Sequence, residues 1–136
     1  FGSKDDLAAA ALTAAFEENP MGKLTTHVLD TSAGRPAADM AWTLYRLDHG
    51  HIELCQGRTN DDGRNDGPVL QGDAFACGTY ELHFFAGDYF RQKGGDLESP
   101  AFLDTVVIRF GISDADSHYH VPLLISPYGY STYRGS

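Results

Sequence analysis

Three side chains able to do chemistry interrupt otherwise strand-like sequence. They are His27 in Leu24-Thr25-Thr26-His27-Val28-Leu29-Asp30, Arg64 directly after Asn60-Asp61-Asp62-Gly63, and His120 in His118-Tyr119-His120-Val121-Pro122. Two imidazoles can divide the roles of base and acid near neutral pH, where imidazole titrates. A guanidinium fork can hold a carbonyl or anionic oxygen and stabilise charge developing there. The chain has no serine elbow or reactive-cysteine motif, so a covalent nucleophile is not demanded. Two other readings stay open on the residues alone. The histidines can be satisfied structural residues and the arginine a solvated turn residue. Alternatively, His27, His118 and His120 can form a three-histidine zinc site with an open position, His-x-His on a strand being a familiar half-site. Nothing nearby in sequence supplies a carboxylate to orient such ligands, which weakens the zinc reading.

The C-terminus carries the densest polar information. Tyr130-Ser131-Thr132-Tyr133-Arg134-Gly135-Ser136 sets hydroxyls, aromatics, an arginine and a terminal carboxylate in one short run. Chain ends usually fray and say little. This one reads as part of a site.

The elements that must position these groups follow a period of two from Leu24 onward. Strands are expected at Leu24 to Asp30 (Thr25, His27 and Leu29 on one face), Asp39 to Leu47, Ile52 to Thr59, Gly78 to Ala86 and Asp104 to Phe110. Two more are expected at Tyr119 to Ser126 and Tyr130 to Arg134. His118 and His120 then share a face, and Pro122, which cannot donate to a ladder, suggests an edge or a bulge. Asp48-His49-Gly50 is a tight turn, and Asn60-Asp61-Asp62-Gly63 is a hairpin signal that leaves Arg64 at the exit of a rigid turn. A short helix is expected from Asp88 as N-cap to Gly94 just past its end. Short strands with turns at this spacing indicate an antiparallel β-sandwich.

At 136 residues the chain makes one core, and the formal charge of −9 argues against nucleic acid as a partner. No run approaches the ~18 apolar residues of a membrane span. Cys55 and Cys77 lack metal or redox spacing and are expected as buried free thiols. Residues 1–20, with the alanine-rich run Leu7 to Phe16, lack the basic start and small-residue end of an export signal. They are expected to be a linker or appended extension, with the domain itself at 21–136 and Met21 as a natural start.

The four segments around His27, Arg64, His118-Tyr119-His120 and Tyr130 to Ser136 resemble the signature segments of the hydroxyisourate hydrolase branch of the transthyretin-like family. The resemblance covers residues 23–136. The terminal Tyr133-Arg134-Gly135-Ser136 is its most specific part, since hormone-carrying transthyretins lack it. It implies an all-β, eight-stranded antiparallel sandwich with one short helix. It also implies a homotetramer, a dimer of dimers, with active sites in the channel between dimers. His27, Arg64 and His120 match the catalytic positions; Ser131, Tyr133, Arg134, Gly135 and Ser136 match the substrate-binding wall. The implied reaction is metal-free, cofactor-free hydrolysis of 5-hydroxyisourate in urate degradation, with a small-molecule carrier of the same fold as the alternative. A cytoplasmic enzyme is expected. Since the net charge is negative, Arg64 and any protonated histidines must supply the positive potential that an acidic substrate needs.

Overall fold

The computed structural model describes residues 22–136. The expectations for residues 1–20, and for a domain start at Met21, lie outside the described residues. In chain order the elements are β1 (Lys23–Asp30), β2 (Arg35–Pro36), β3 (Ala41–Leu47), β4 (His51–Arg58), β5 (Leu70–Gln71), a 3-10 turn (Gly72–Ala74), β6 (Gly78–Phe84), α1 (Ala86–Gln92), β7 (Val106–Ile112), β8 (Tyr119–Ser126) and β9 (Gly129–Thr132).

Two sheets face one another. One runs β4-β3-β6-β7; the other runs β2-β1-β8-β9, with β5 also paired to β1. Alternation along the strands makes the core. Leu24 and Val28 of β1 and Val121, Leu123 and Ile125 of β8 meet Trp42, Leu44, Tyr80, Leu82, Phe84 and Ile108 from the opposite sheet, all buried. Each such side chain contributes roughly 1.5–3 kcal/mol by leaving water. The residues between them, Thr25, His27 and Leu29 on β1, fall on the outward face as their spacing requires.

The expected all-β sandwich with one short α-helix is what the described residues form, with differences of detail. The sheets hold five and four strands rather than eight in all, because β2 and β5 are two-residue pairings too short to carry any alternation. The expected antiparallel arrangement fails at one seam: β1 and β8 run parallel, from Leu24↔Tyr119 to Asp30↔Ile125. Inward and outward alternation is the same for either direction, so the sequence carries no sign of it. Asn60 to Gly63 is a tight turn but not a hairpin between sheet neighbours. It carries the chain from β4 across to the other sheet, where Arg64 bridges His27. The helix begins at Ala86, with Phe85 at its N-cap and Asp88 inside its first turn, where a carboxylate favours the helix dipole. Gly94, at φ +85, closes it as expected. Cys55 and Cys77 are free, but Cys77 is exposed rather than buried and Cys55 only half-buried.

Pro122 does not mark an edge, since β8 lies between β1 and β9. Its carbonyl accepts a hydrogen bond from the Thr132 hydroxyl (2.7 Å), so its missing N–H faces β9. The β8–β9 ladder, continuous from Ser126↔Gly129 to Leu123↔Thr132, lapses there and resumes only at the His120↔Gly135 bridge. Proline thereby frees Tyr133 and Arg134 from the ladder while the last two residues return to β8.

Asp30, 3% exposed, ends β1 and fastens it to the helix. It accepts hydrogen bonds from the Ser32 and Ala33 amides and from the Tyr89 hydroxyl at 2.8 Å. Burial, with Asp30 alongside, holds the Tyr89 phenol far above its ordinary range, so it stays a donor. No helix among the described residues is long and apolar enough to cross a membrane.

Candidate active site

The parallel register of β1 and β8 decides which outward side chains meet. It sets Thr25 beside His120 and His27 beside Pro122. Two histidines from strands far apart in sequence therefore share one face, backed by the core beneath.

Arg64 joins them through its turn. The Asn60 side-chain oxygen accepts from the amides of Asp62 (2.9 Å) and Arg64 (3.1 Å), and the Asn60 amide donates to the Arg64 carbonyl (2.7 Å). Gly63 adopts φ +75 and its carbonyl accepts from the Val28 amide at 2.8 Å. A Cβ at Gly63 would strike the Val28 carbonyl, so only glycine lets the turn lie against β1. The Asp-Gly signal thus has a second use: it pins Arg64 beside His27 at the edge of β1.

Electrostatics follow from this placement. The His27 imidazole titrates below its ordinary value, first because it is partly buried and then because of the Arg64 charge; contacts with Asp62 pull the other way. His120 is lowered by burial, by Arg64 and by His27, against a hydrogen bond with Thr25. Both rings are therefore neutral at pH 7 and carry a free nitrogen lone pair. The His120 Nδ1 lies 2.8 Å from the Thr25 hydroxyl, which leaves Nε2 for other partners.

An open cleft of ≈ 510 Å³ lies over this face, walled by Lys23, Thr25, Arg64, Asn65, His120 and Ser136 among others. His27 is not one of its walls; it sits beside Arg64 and close enough to His120 to lower its titration. The tail residues divide. The Gly135 amide donates to the His120 carbonyl at 2.8 Å, its α-carbon lies against the His120 ring, and Ser136 reaches the cleft. Arg134 turns away: its guanidinium stacks on the Tyr119 ring at 4.0 Å and donates to the His118 carbonyl at 3.1 Å. Ser131 lies exposed on β9 opposite Leu124, and Tyr133 is 61% exposed. Within the chain, then, His27, Arg64, His120, Gly135 and Ser136 come together, whereas Ser131, Tyr133 and Arg134 do not reach the cleft.

The sequence reading missed Lys23, Thr25 and Asn65. Thr25 was findable, because it stands two residues before His27 on the same face of β1. Lys23 and Asn65 carry no local signal and arrive only through the fold. The three-histidine zinc reading finds no support in geometry: among the described residues, the only convergence of three metal-ligating side chains is His51, Glu81 and His83 on the other sheet.

Comparison with known proteins places this arrangement. The profile of the HIUase/Transthyretin family matches residues 24–135. The chain belongs to the HIUase/Transthyretin family. Among relatives, 5-hydroxyisourate hydrolase 2 of Rhizobium meliloti is 64% identical over 85% of this chain and 97% of its own length. The 5-hydroxyisourate hydrolase of Pseudomonas aeruginosa is 57% identical over 92% of this chain and 100% of its own. The solved structure of Klebsiella pneumoniae 5-hydroxyisourate hydrolase superposes with a TM-score of 0.72 at 34% identity, over 85% of this chain and 100% of that one. Within the HIUase/Transthyretin family the match spans both strands of the parallel seam and the turn before Arg64, the parts that build the cleft.

Proposed function

We propose that this chain hydrolyses 5-hydroxyisourate, opening the six-membered ring at its acyl N–C bond to give 2-oxo-4-hydroxy-4-carboxy-5-ureidoimidazoline. The observation that carries the reading is the seam between β1 and β8, where Arg64 and His120 wall the cleft and His27 lies next to Arg64, outside that wall. Similarity to hydrolases of that name over nearly the whole described chain supports the substrate.

In this reading His120 is the base. Its Nδ1 is engaged by Thr25 and its depressed titration keeps Nε2 free to take a proton from water. The water oxygen bonds to the acyl carbon, the carbonyl becomes an oxyanion, and Arg64 stabilises it. The C–N bond then breaks, and the proton taken up by His120 passes to the leaving nitrogen. Ser136 closes the wall, Gly135 backs the His120 ring, and Lys23 adds positive charge for an acidic substrate. Ser131, Tyr133 and Arg134 act at the substrate wall only in an assembly. The exposed edge strand β9 suits pairing with a second copy, and a homotetramer would bring these side chains to a shared channel. Free thiols suit a reducing compartment, and a cytoplasmic enzyme is the corresponding location.

The test is a coupled ultraviolet assay in which urate oxidase generates the substrate and its decay is followed with and without the protein, before and after dialysis against EDTA. Accelerated decay that survives the chelator is the expected result. Decay at the spontaneous rate would overturn the hydrolase and leave a small-molecule carrier of this fold. Sedimentation analysis tests the tetramer.

A further inference from the structure

The outward face of the second sheet, on the far side of the core from the cleft, holds a polar cluster that hydrolysis does not use. Tyr80, Leu82 and Phe84 of β6 point inward, which sends Glu81 and His83 outward. Yet Glu81 is only 4% exposed. Its neighbours cover it: Tyr45 of β3 and Arg109 of β7 stand directly opposite across the two ladders, and His51 reaches over from β4. Arg109 donates to Glu81 Oε2 through Nε and Nη2, each at 2.9 Å. That leaves Oε1, which lies 2.9 Å from the Nε2 of both His51 and His83.

We propose that His51 Nε2, His83 Nε2 and Glu81 Oε1 form a binding site for one zinc-like divalent transition-metal ion. Two imidazoles and a carboxylate are a recurrent three-ligand zinc set. The three ligand atoms lie within 4.8 Å of one another. Ligands held ~2.0–2.1 Å from a tetrahedral ion stand roughly 3.3 Å apart, so each oxygen–nitrogen pair opens by a few tenths of an ångström while the two imidazole nitrogens, at most 4.8 Å apart, turn to the same spacing. The surroundings hold the ligands in place as a metal site requires. The Arg109 fork fixes the carboxylate by its other oxygen, and the Tyr45 ring packs against both imidazoles, at 4.5 Å from His83 and 5.6 Å from His51. The donor set also chooses the ion. Calcium and magnesium want oxygen ligands, whereas imidazole suits zinc and its neighbours. The His51 side chain is 49% exposed, so the fourth position opens to solvent and takes water or a group from outside.

The consequence is mechanical. His51 lies on edge strand β4 and Glu81 on β6, with β3 between them. One ion therefore ties the edge strand across its neighbour, and since it binds only the folded chain it stabilises by mass action. The experiment is a zinc titration of the full chain, stripped of metal, against a chromophoric chelator, with thermal unfolding followed in parallel. His51→Gln and His83→Gln serve as site variants, and a His27→Ala/His120→Ala double variant silences the cleft. The expected result is that the double variant still binds one zinc, with a Tm rise of roughly 5 °C at saturating metal. Each glutamine variant loses at least tenfold in affinity and most of the Tm rise, while its metal-free Tm and its hydroxyisourate turnover match the parent. Zinc binding that survives in both glutamine variants, or that disappears in the double variant, overturns the site. So does a parent chain whose Tm zinc leaves unmoved while all variants remain folded.

Discussion

Replacing Gly135 by alanine isolates the contact between the tail and His120. A Cβ there would stand 2.5 Å from His120 Cδ2, 3.1 Å from Cγ and 3.2 Å from the His120 Cβ. Gly135 is not among the glycines at positive φ, so alanine suits the backbone and the effect is steric alone. Relief requires the nearest contact to open from 2.5 Å to the 3.4 Å of ordinary packing, a shift of about 0.9 Å. If the imidazole yields by that much, its 2.8 Å contact with Thr25 opens past hydrogen-bonding range. Misplacing an acid–base group by about an ångström costs on the order of 10²-fold in rate. A loss of roughly 10–100-fold in kcat is the expectation, about 1.4–2.7 kcal/mol of transition-state stabilisation. If the tail yields instead, Ser136 leaves the cleft, so KM rises while kcat holds. The coupled assay separates the two, and thermal unfolding should show less than about 1 kcal/mol of change, because the bridge lies at the chain end. Wild-type kcat and KM in a folded Gly135→Ala protein would refute the claim that the tail holds the ring.

Four shorter predictions follow from the same geometry. His120→Ala and His27→Ala should each lower turnover by about 10²-fold or more with the fold intact, measured by the same assay; near wild-type turnover removes that residue from acid–base work. Arg64→Gln should raise the titration of both histidines, since its charge lowers each, and move the acid limb of the kcat/KM profile upward; histidine NMR titrations unmoved by the change would contradict the shared field. Because both folded-state values lie below the unfolded 6.5, the unfolded chain binds protons first, so this contribution to stability is whole above about pH 6.5 and falls as pH drops through the folded values. Denaturant midpoints flat between pH 7 and 5.5 would count against it, with His27→Gln/His120→Gln as the control. Tyr89→Phe should cost about 1.5–3 kcal/mol, since it removes a buried donor to a carboxylate, and chemical denaturation without such a loss would show Asp30 to be satisfied by its own turn alone.

Much of this site was legible because its residues break a pattern. His27 and His120 are polar groups in alternating apolar runs, and Asp62-Gly63 announces a turn that fixes Arg64. What the sequence hides is direction and company. Leu24, Thr26, Val28 and Asp30 point inward whichever way β8 runs, so nothing local marks the parallel seam that pairs Thr25 with His120. The same limit explains Pro122. An isolated proline reads as an edge, but here the missing N–H faces the gap where β9 stops, a fact set by Thr132 and Gly135 returning from further along the chain. The family resemblance of the tail puts Arg134 at the substrate wall; within the single chain its guanidinium stacks on the Tyr119 ring, whose own side is fixed by β8.

The outer edge of β1 shows why a sandwich of this size can hold such a cleft rigid. Three short stretches from distant parts of the chain cover that edge in turn: Leu70–Gln71 against Lys23 and Leu24, Arg64 against His27, and Arg35–Pro36 against Leu29 and Asp30. None is long enough to be a stable strand by itself, so each depends on β1 for its place, and β1 depends on β8 and the core for its own. Arg64 and the cleft loop through Pro68 are thereby anchored on both sides, by the Gly63 carbonyl to the Val28 amide and by the Val69 amide to the Leu24 carbonyl, each at 2.8 Å. The loop has little freedom between those two anchors. Positioning here comes from backbone hydrogen bonds at both ends of a short loop, with the buried residues of β1 and β8 as the floor. The tail is held differently, by the Gly135 bridge to His120 and by the Arg134 guanidinium, which stacks on Tyr119 and donates to the His118 carbonyl.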